Sequence, residues 1–294
     1  MADNQLTHAR VSTLTQIGTM TKYNFLNYFR ARRFYVMLAI IVIIAGLMTG
    51  LVAYFQPASF LNFQAGKVQG ALGFYGAGWG SFANFVIILS AAFFGGDAIS
   101  GEFQNRTGYF LVPNPIRRSA IYVGKYLAAL AASSIILGIF ALIMIGNGLY
   151  YFPGTFPWEF AQSIGFSWLY LIAALSLTFA FSSLFKSSSI SILMSVILLL
   201  FVFDVVDEVV VIVANVEPWF SITYGAGIIS NILTVPYPEH YNPNTLGNST
   251  GPGSRFRVPA YNATVPEGLA ILLIYFAVMG LIGLWLFQKK EFTT

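Results

Sequence analysis

Three carboxylates interrupt the apolar stretch FVFDVVDEVVVIV. Asp204, Asp207 and Glu208 are spaced i, i+3 and i+4, so they would share one face of a helix. Inside a membrane such carboxylates are costly, and a proton or cation relay is the first function expected of them. The alternative is that the fifth apolar span ends at Phe203, which would leave the carboxylates at the outer membrane surface. Ser189 to Phe203 is only fifteen residues, but a start near Phe185 gives enough length to reach that surface, and the position of the carboxylates at the outer end favours this alternative.

A second group of charged residues lies between two long apolar runs, in the stretch GEFQNRTGYFLVPNPIRRSAIYVGK, Gly101 to Lys125. It contains four basic residues, Arg106, Arg117, Arg118 and Lys125. The part from Gly101 to Leu111 is compatible with a helix, and the turn PNP that follows restricts φ at two positions. Aromatic and Arg side chains are the usual energetic centres of interfaces, so Phe103 and Arg106 are candidate contacts for a partner.

Several kinds of chemistry are excluded or unsupported. The phosphate-binding pattern GxxxxGK[ST] is absent, because Ser119 precedes Gly124-Lys125 where a glycine is needed and Tyr126 follows it. The chain has no cysteine, which excludes disulfides and thiolate metal sites. Its two histidines, His8 and His240, fall on opposite sides of the membrane in the topology derived below. We therefore predict no enzyme activity, no bound cofactor and no metal site in this chain.

The composition is that of a membrane protein. Of the 294 residues, 57% are hydrophobic and only 9% are charged, whereas soluble domains carry about 25% charged residues. A net charge of +4 would suggest nucleic acid in a soluble chain. Here the cations flank apolar runs, so topology explains them and we predict no nucleic-acid partner.

Six apolar runs are long enough, or nearly so, to cross a bilayer: about 34–55, 77–98, 122–151, 165–185, 189–203 and 269–287. Six spans place both termini on one side. Twelve of the fifteen Lys and Arg residues then fall on that side, and only Lys67, Arg255 and Arg257 fall on the other. Because short cytoplasmic segments are enriched in Lys and Arg, we predict a multi-pass plasma-membrane protein with both termini in the cytoplasm.

The regions outside the spans complete a single predicted domain, 1–294. Residues 1–33 form a cytoplasmic tail and an amphipathic helix at the membrane surface, with one face made of Leu14, Ile17, Gly18, Thr21, Phe25, Tyr28 and Phe29 and the other of Gln16, Thr19, Asn27 and Arg30. Residues 97–121 form a cytoplasmic loop, and residues 205–267 an extracellular segment. Asn248 and Asn262 lie in acceptor patterns for N-glycosylation in that segment.

The end of the second span and the stretch that follows read GGDAISGEFQNRTGYFLVPNPIRRSAIYVGKYLAA. This resembles the cytoplasmic loop of ABC-2 type permeases, the membrane subunits of type-2 ABC exporters. The features that match are Asp97, Glu102, Arg106, Thr107, Gly108, Leu111, Pro113, Pro115, Arg117 or Arg118, and Gly124-Lys125. The family commonly has Glu-Arg where this chain has Glu102-Phe103.

The resemblance implies an all-α polytopic fold with six transmembrane helices, an N-terminal amphipathic surface helix, a coupling helix between spans two and three, and an extended extracellular segment between spans five and six. It implies that the loop docks on an ABC ATPase subunit. The docking residues would be Asp97, Glu102, Phe103, Arg106, Thr107, Gly108, Leu111, Pro113, Arg117 and Arg118.

The resemblance also implies the partners. These are ATPase subunits that bind ATP and Mg, a second permease copy or a related permease, and the lipid bilayer. The chain would be the permease subunit of an ATP-driven exporter, whose substrate-binding residues the sequence does not identify. Two other functions stay open: a proton-coupled secondary carrier that uses the carboxylates Asp204, Asp207 and Glu208, and a non-transporting membrane scaffold.

Overall fold

The computed structural model describes residues 12–55, 70–105, 117–246 and 257–290. The first half of the chain forms long helices. These are α1 Thr13–Arg30, α2 Arg32–Phe55, α3 Ala71–Tyr75, which continues through a π-helical segment Gly76–Gly80 into α4 Ser81–Gly95, then α5 Ser100–Gln104, α6 Arg118–Tyr151 and α7 Trp158–Leu184.

The second half contains one further long helical run, several short elements and a last long helix. The run comprises α8 Ser188–Ile197, a π segment Leu198–Val202, α9 Phe203–Val209 and a π segment Val210–Ala214. Then follow α10 Ile222–Ala226, α11 Ile228–Asn231, the antiparallel strands β1 Tyr241–Leu246 and β2 Arg257–Tyr261, and α12 Val265–Lys289.

Among the described residues, five helices are long and apolar enough to cross a membrane: Arg32–Tyr54, Ala71–Gln104, Arg118–Tyr151, Trp158–Leu184 and Val265–Lys289. They contain the first, second, third, fourth and sixth predicted spans. The predicted class, an all-α polytopic membrane protein, is confirmed.

A helical run covers the predicted fifth span and extends beyond it. It continues from Ser188 through the three carboxylates to Ala214, so the helix does not end at Phe203. Asp and Glu do not break a helix, and valines surround them. The run ends where Asn215 adopts a left-handed φ of 50°, a conformation that terminates helices.

Capping side chains explain where the first and the last described helices, α1 and α12, begin. Ser12 caps α1, since its Oγ accepts a hydrogen bond from Thr15 N at 3.2 Å. At the start of α12, Glu267 accepts from Thr264 N at 2.9 Å in a capping box. Both helices thus begin at residues whose side chains satisfy backbone donors that the helix itself leaves unpaired.

Helix α7 lies at the centre of the bundle and packs against α12, α4, α8 and α6. Small residues permit the close approach. A Cβ at Gly283 of α12 would lie 3.1 Å from Ala180 Cα, and one at Gly95 of α4 would lie 3.1 Å from Thr178 Cβ. Without a hydrophobic driving force between helices in lipid, such close contact is a main source of helix association.

The bundle has two chemically different ends. We call the end that holds Arg33, Lys125 and Lys290 the basic end, and the end that holds Glu217, His240 and Glu267 the far end. At the far end α10 and α11 pack into the bundle, where Ser163 Oγ donates to Ile229 O at 2.6 Å. The predicted extracellular segment 205–267 therefore contributes helices to the bundle in addition to its two strands.

The contact between α1 and α6 generates a test. A Cβ at Gly124 would lie 2.6 Å from Met20 Cβ and 3.2 Å from Ile17 O, whereas one at Gly138, on the same helix, would meet nothing within 4 Å. We expect Gly124→Ala to displace α1 and destabilise the protein by roughly 1–3 kcal/mol, the usual cost of overpacking. Reversible unfolding in detergent measures the stability, and hydrogen exchange of α1 measures the displacement.

The matched control is Gly138→Ala. It makes the same chemical change on α6 and should be neutral or stabilising, by up to about 1 kcal/mol, because Ala favours helix more than Gly does. Equal effects of the two substitutions on α1 exchange would contradict this account of the packing.

Candidate functional site

The second span breaks at its basic end, and side chains from other helices hold the break. Between α4 and α5 the chain forms a turn, residues 96–99. The N–H groups of Ile99 and Ser100 both donate to Ser182 Oγ of α7, at 2.9 Å each, and Ser100 Oγ donates to Gly96 O at 2.7 Å. These bonds satisfy buried donors that a broken helix would otherwise leave unpaired.

Asp97, in this turn, joins two further helices. It forms an ion pair with Arg33 at the start of α2 and accepts a hydrogen bond from Ser188 Oγ at the start of α8. Ser188 also donates its backbone N–H to Gln104 Oε1 of α5 at 2.7 Å. The turn and α5 are therefore connected to the first span and to the helical run that begins at Ser188.

Lys125 of α6 makes the most buried charged contact of the site. Its side chain is 6% exposed, and its Nζ lies 2.5 Å from Glu102 Oε1 of α5 and donates to Ala98 O at 2.8 Å. A buried ammonium is tolerated only when it is paired and hydrogen-bonded. Glu102 and Lys125 thus fasten α5 to the third span.

Helix α1 covers the same region from outside. Tyr28 OH donates to Phe94 O of α4 at 3.1 Å, and Arg117 N donates to Gln16 Oε1 at 3.3 Å. Burial, and secondarily Asp97, raise the pKa of Tyr28, so the phenol stays protonated and keeps donating. On the predicted apolar face Leu14 is 80% exposed, as a side chain facing the membrane surface would be, and Gln16 of the predicted polar face contacts Arg117 N.

These elements enclose a polar cavity of about 360 Å³, lined among others by Asn24, Arg33, Asp97, Glu102 and Lys125. Its charged groups come from α2, the turn, α5 and α6, and they are paired with one another. A displacement of α2 or of the turn must therefore disturb the pair Arg33–Asp97, and a displacement of α5 or α6 must disturb the pair Glu102–Lys125.

The C-terminal end of α12 closes the site on another side. Lys290 Nζ donates to Ser183 O at 2.9 Å and to Phe185 O at 2.7 Å, and it lies 4.1 Å from the centre of the Phe103 ring. Burial, with a smaller effect of Lys186, lowers the pKa of Lys290 to about 8. Arg118 donates to Gln288 O at 2.8 Å, so α6 and α12 are also connected.

The predicted docking residues that the structure describes all lie at this end, where each contacts another segment of the chain. Asp97 contacts α2 and α8, and Glu102 contacts α6. Phe103 and Arg118 contact the C-terminal segment, and Arg117 contacts α1. Residues Arg106, Thr107, Gly108, Leu111 and Pro113 lie outside the described residues. The helix predicted from Gly101 to Leu111 ends earlier, at Gln104, with Asn105 as its C-cap.

Sequence reasoning did not identify the partners of these residues. Lys125 was recognised as part of the motif but not as the partner of Glu102, and Arg33, Ser182 and Ser188 were not assigned to the site. The sequence signal was the two acidic residues Asp97 and Glu102 at the start of a basic loop. Their partners lie 23 positions away, as between Glu102 and Lys125, to 91 positions away, as between Asp97 and Ser188.

The other predicted positions lie elsewhere. Asp207 Oδ2 accepts from Ser221 Oγ and from Thr223 Oγ1, both at 2.7 Å, which holds the start of α10 to the helical run. Asp204 and Glu208 are exposed. Asn262, which lies near the far end, donates from its side-chain amide to Glu239 O at 2.9 Å. Asn248 is outside the described residues.

The Glu102–Lys125 pair can be tested by a double-mutant cycle with Glu102→Gln and Lys125→Met. Each single substitution leaves a charged partner in a largely buried place, so we expect each to destabilise the protein by about 1–3 kcal/mol. The double variant should lose less than the sum of the two. Reversible unfolding in mild detergent gives the three differences in free energy.

Lys289→Met is the matched control, because Lys289 is exposed and lies over the Trp285 ring at the same end of the bundle. Its effect should stay within about 0.5 kcal/mol, as for most surface substitutions. Additive effects of Glu102→Gln and Lys125→Met would show that the two side chains do not interact energetically.

Comparison with known proteins gives one family. Residues 19–292 match the model of the family described as ABC-2 family transporter protein. A search of curated proteins gives no match. The matched region includes α1 from Thr19 onward and every helix of the bundle. The chain therefore belongs to the ABC-2 family of transporter proteins and is a membrane permease subunit of an ABC transporter.

Proposed function

We propose that this permease exports its substrate at the expense of ATP hydrolysed by separate nucleotide-binding subunits, which bind ATP and Mg. The observation that carries the proposal is the set of contacts around the turn 96–99 and α5. These contacts join the residues that flank segment 106–116 to the first, third and fourth spans and to the helical run Ser188–Ala214. The sequence of this chain has no phosphate-binding loop of its own.

The contacts support a coupling role for segment 106–116. On its N-terminal side, Gln104 binds the start of α8 and Glu102 binds Lys125. On its C-terminal side, Arg117 N binds Gln16 of α1. A push by an ATPase on this segment would therefore reach α1, α6 and α8 together, without an intervening flexible joint in the described residues.

The charge distribution supports an orientation. The basic end contains five described cations: Arg33, Arg118, Lys125, Lys186 and Lys290. The start of α1 and the C-terminal end of α12 lie there as well. Cytoplasmic ends of membrane helices are enriched in Lys and Arg. We infer that the protein lies in the plasma membrane, with the basic end and both termini in the cytoplasm and the far end outside the cell.

The helical run Ser188–Ala214 is proposed as the fifth of six membrane crossings. It starts at the basic end, where Ser188 meets Asp97, and it ends at the far end, where Tyr261 OH donates to Asn215 O at 2.9 Å. Asp204 and Glu208 are exposed on it. Ionisable residues in membrane helices face a protein interior or water, so a second permease copy or a related permease would enclose a pathway beside this run.

A carrier that uses the carboxylates is less well supported than ATP-driven export. Asp207 is occupied by two hydroxyl donors that anchor α10, which is a structural use of the group. The carrier and the scaffold remain distinguishable by experiment, because neither requires an ATPase partner at segment 106–116.

The test is affinity purification of the tagged protein from its native membranes in mild detergent, with mass spectrometry of the co-eluting proteins. We expect an ATPase that carries its own phosphate-binding loop to co-elute with the wild type. Arg106→Glu should reduce its recovery at least tenfold, because reversing one charge in an interface replaces attraction by repulsion. Glu102 is left unchanged, since its loss would also break the pair with Lys125.

Lys289→Glu makes the same charge reversal on an exposed residue of the basic end and is the control. It should leave the ATPase recovery unchanged. Wild-type protein that elutes without any ATPase, or equal losses from Arg106→Glu and Lys289→Glu, would overturn the proposed docking.

A further inference from the structure

Three side chains with metal-binding atoms meet at the far end of the bundle. Glu217 follows the helical run, His240 precedes β1, and Glu267 lies in the first turn of α12. One ligand atom from each lies within 4.8 Å of the other two. His240 Nε2 is 3.4 Å from Glu217 Oε2, and His240 Nδ1 is 3.6 Å from Glu267 Oε2.

The hydrogen bonds of His240 favour one tautomer. Its Nδ1 lies 3.0 Å from Asn262 O, and a carbonyl oxygen can only accept, so Nδ1 carries a hydrogen. In the neutral ring Nε2 then presents a lone pair toward the Glu217 carboxylate. Two electron-rich groups at 3.4 Å repel each other unless a cation lies at or between them. A metal-bound histidine commonly has this arrangement, with its other ring nitrogen donating to a carbonyl.

Neutral donors hold the two carboxylates in position. Tyr224 OH donates to Glu217 Oε1 at 2.7 Å, and Thr264 N donates to Glu267 Oε2 at 2.9 Å. Within the described ranges, no Lys or Arg forms an ion pair with either carboxylate. The cluster therefore has two negative charges that His240, when neutral, does not balance.

We propose that Glu217, His240 and Glu267 bind one divalent transition-metal ion, for which Zn²⁺ is the best match. One imidazole nitrogen and two carboxylate oxygens suit zinc, which binds both at about 2.0–2.2 Å in tetrahedral geometry. Neighbouring ligands of such an ion are roughly 3.4 Å apart, and His240 Nε2 lies 3.4 Å from Glu217 Oε2. Mg²⁺ and Ca²⁺ prefer oxygen ligands throughout and fit less well.

The site would connect three segments that the sequence separates by more than twenty residues each. The ion would join the end of the helical run and the segment before β1 to the start of the last span. Binding would thus stabilise the far end against opening. The sequence predicted no metal site because there is no cysteine and the two histidines fall on opposite sides of the membrane, but the site proposed here needs only one histidine. The proposal does not depend on ATP-driven export.

The test is zinc binding by the full-length protein, purified with a tag that contains no histidine and treated with a chelator. Calorimetry should show one Zn²⁺ per chain, and zinc should raise the midpoint of thermal unfolding. We expect Glu217→Gln, His240→Gln and Glu267→Gln each to weaken binding at least tenfold and to abolish the thermal shift. Gln at 217 still accepts from Tyr224, and Gln at 267 keeps the capping box, so the fold should persist.

Two control variants are expected to bind zinc as the wild type does. His8→Gln removes the only other histidine, and Glu239→Gln removes an exposed carboxylate next to His240. Unfolding midpoints without zinc establish that all variants are folded. Binding that survives all three substitutions, or a wild type that binds no zinc, would overturn the proposal. A midpoint that varies with pH but not with zinc would show that a protonated His240 alone balances the carboxylates.

Discussion

The organisation of the basic end depends on one constraint: charges near the membrane must be paired where water is scarce. Lys125 is almost fully buried, and removing an ammonium from water costs several kcal/mol unless a carboxylate and further acceptors replace the water. Glu102 and Ala98 O supply these, and both belong to the break after the second span. The break is thus where the protein can place a carboxylate and a free carbonyl within reach of the third span.

This requirement makes the break rigid although it interrupts a helix. The donors of Ile99 and Ser100 are satisfied by Ser182, and Asp97 is shared by Arg33 and Ser188. A turn held in this way moves as one unit with α5. Such rigidity suits the proposed docking of an ATPase on segment 106–116, because slack there would absorb the displacement before it reached the spans.

The helices could be predicted from the sequence because apolar runs of sufficient length have few other structures available in a bilayer. Their ends could not be predicted as well. The run that starts at Ser188 continues past Asp204 because carboxylates do not stop a helix, and its end depends on the backbone of Asn215. The motif predicted a site at Asp97 and Glu102 but not their partners Arg33, Ser188 and Lys125, which come from three different helices.

The two ends of the bundle differ in how they balance charge, and this difference bears on orientation. At the basic end, cations exceed the carboxylates that pair with them, which suits a surface facing cytoplasm and anionic lipid. At the far end, the partners of Glu217 and Glu267 among the described residues are His240 and neutral donors. A protein that placed the basic end outside would oppose the usual enrichment of Lys and Arg at the cytoplasmic surface. The basic end therefore favours the proposed orientation, and the carboxylates of the far end favour the proposed site for an external cation.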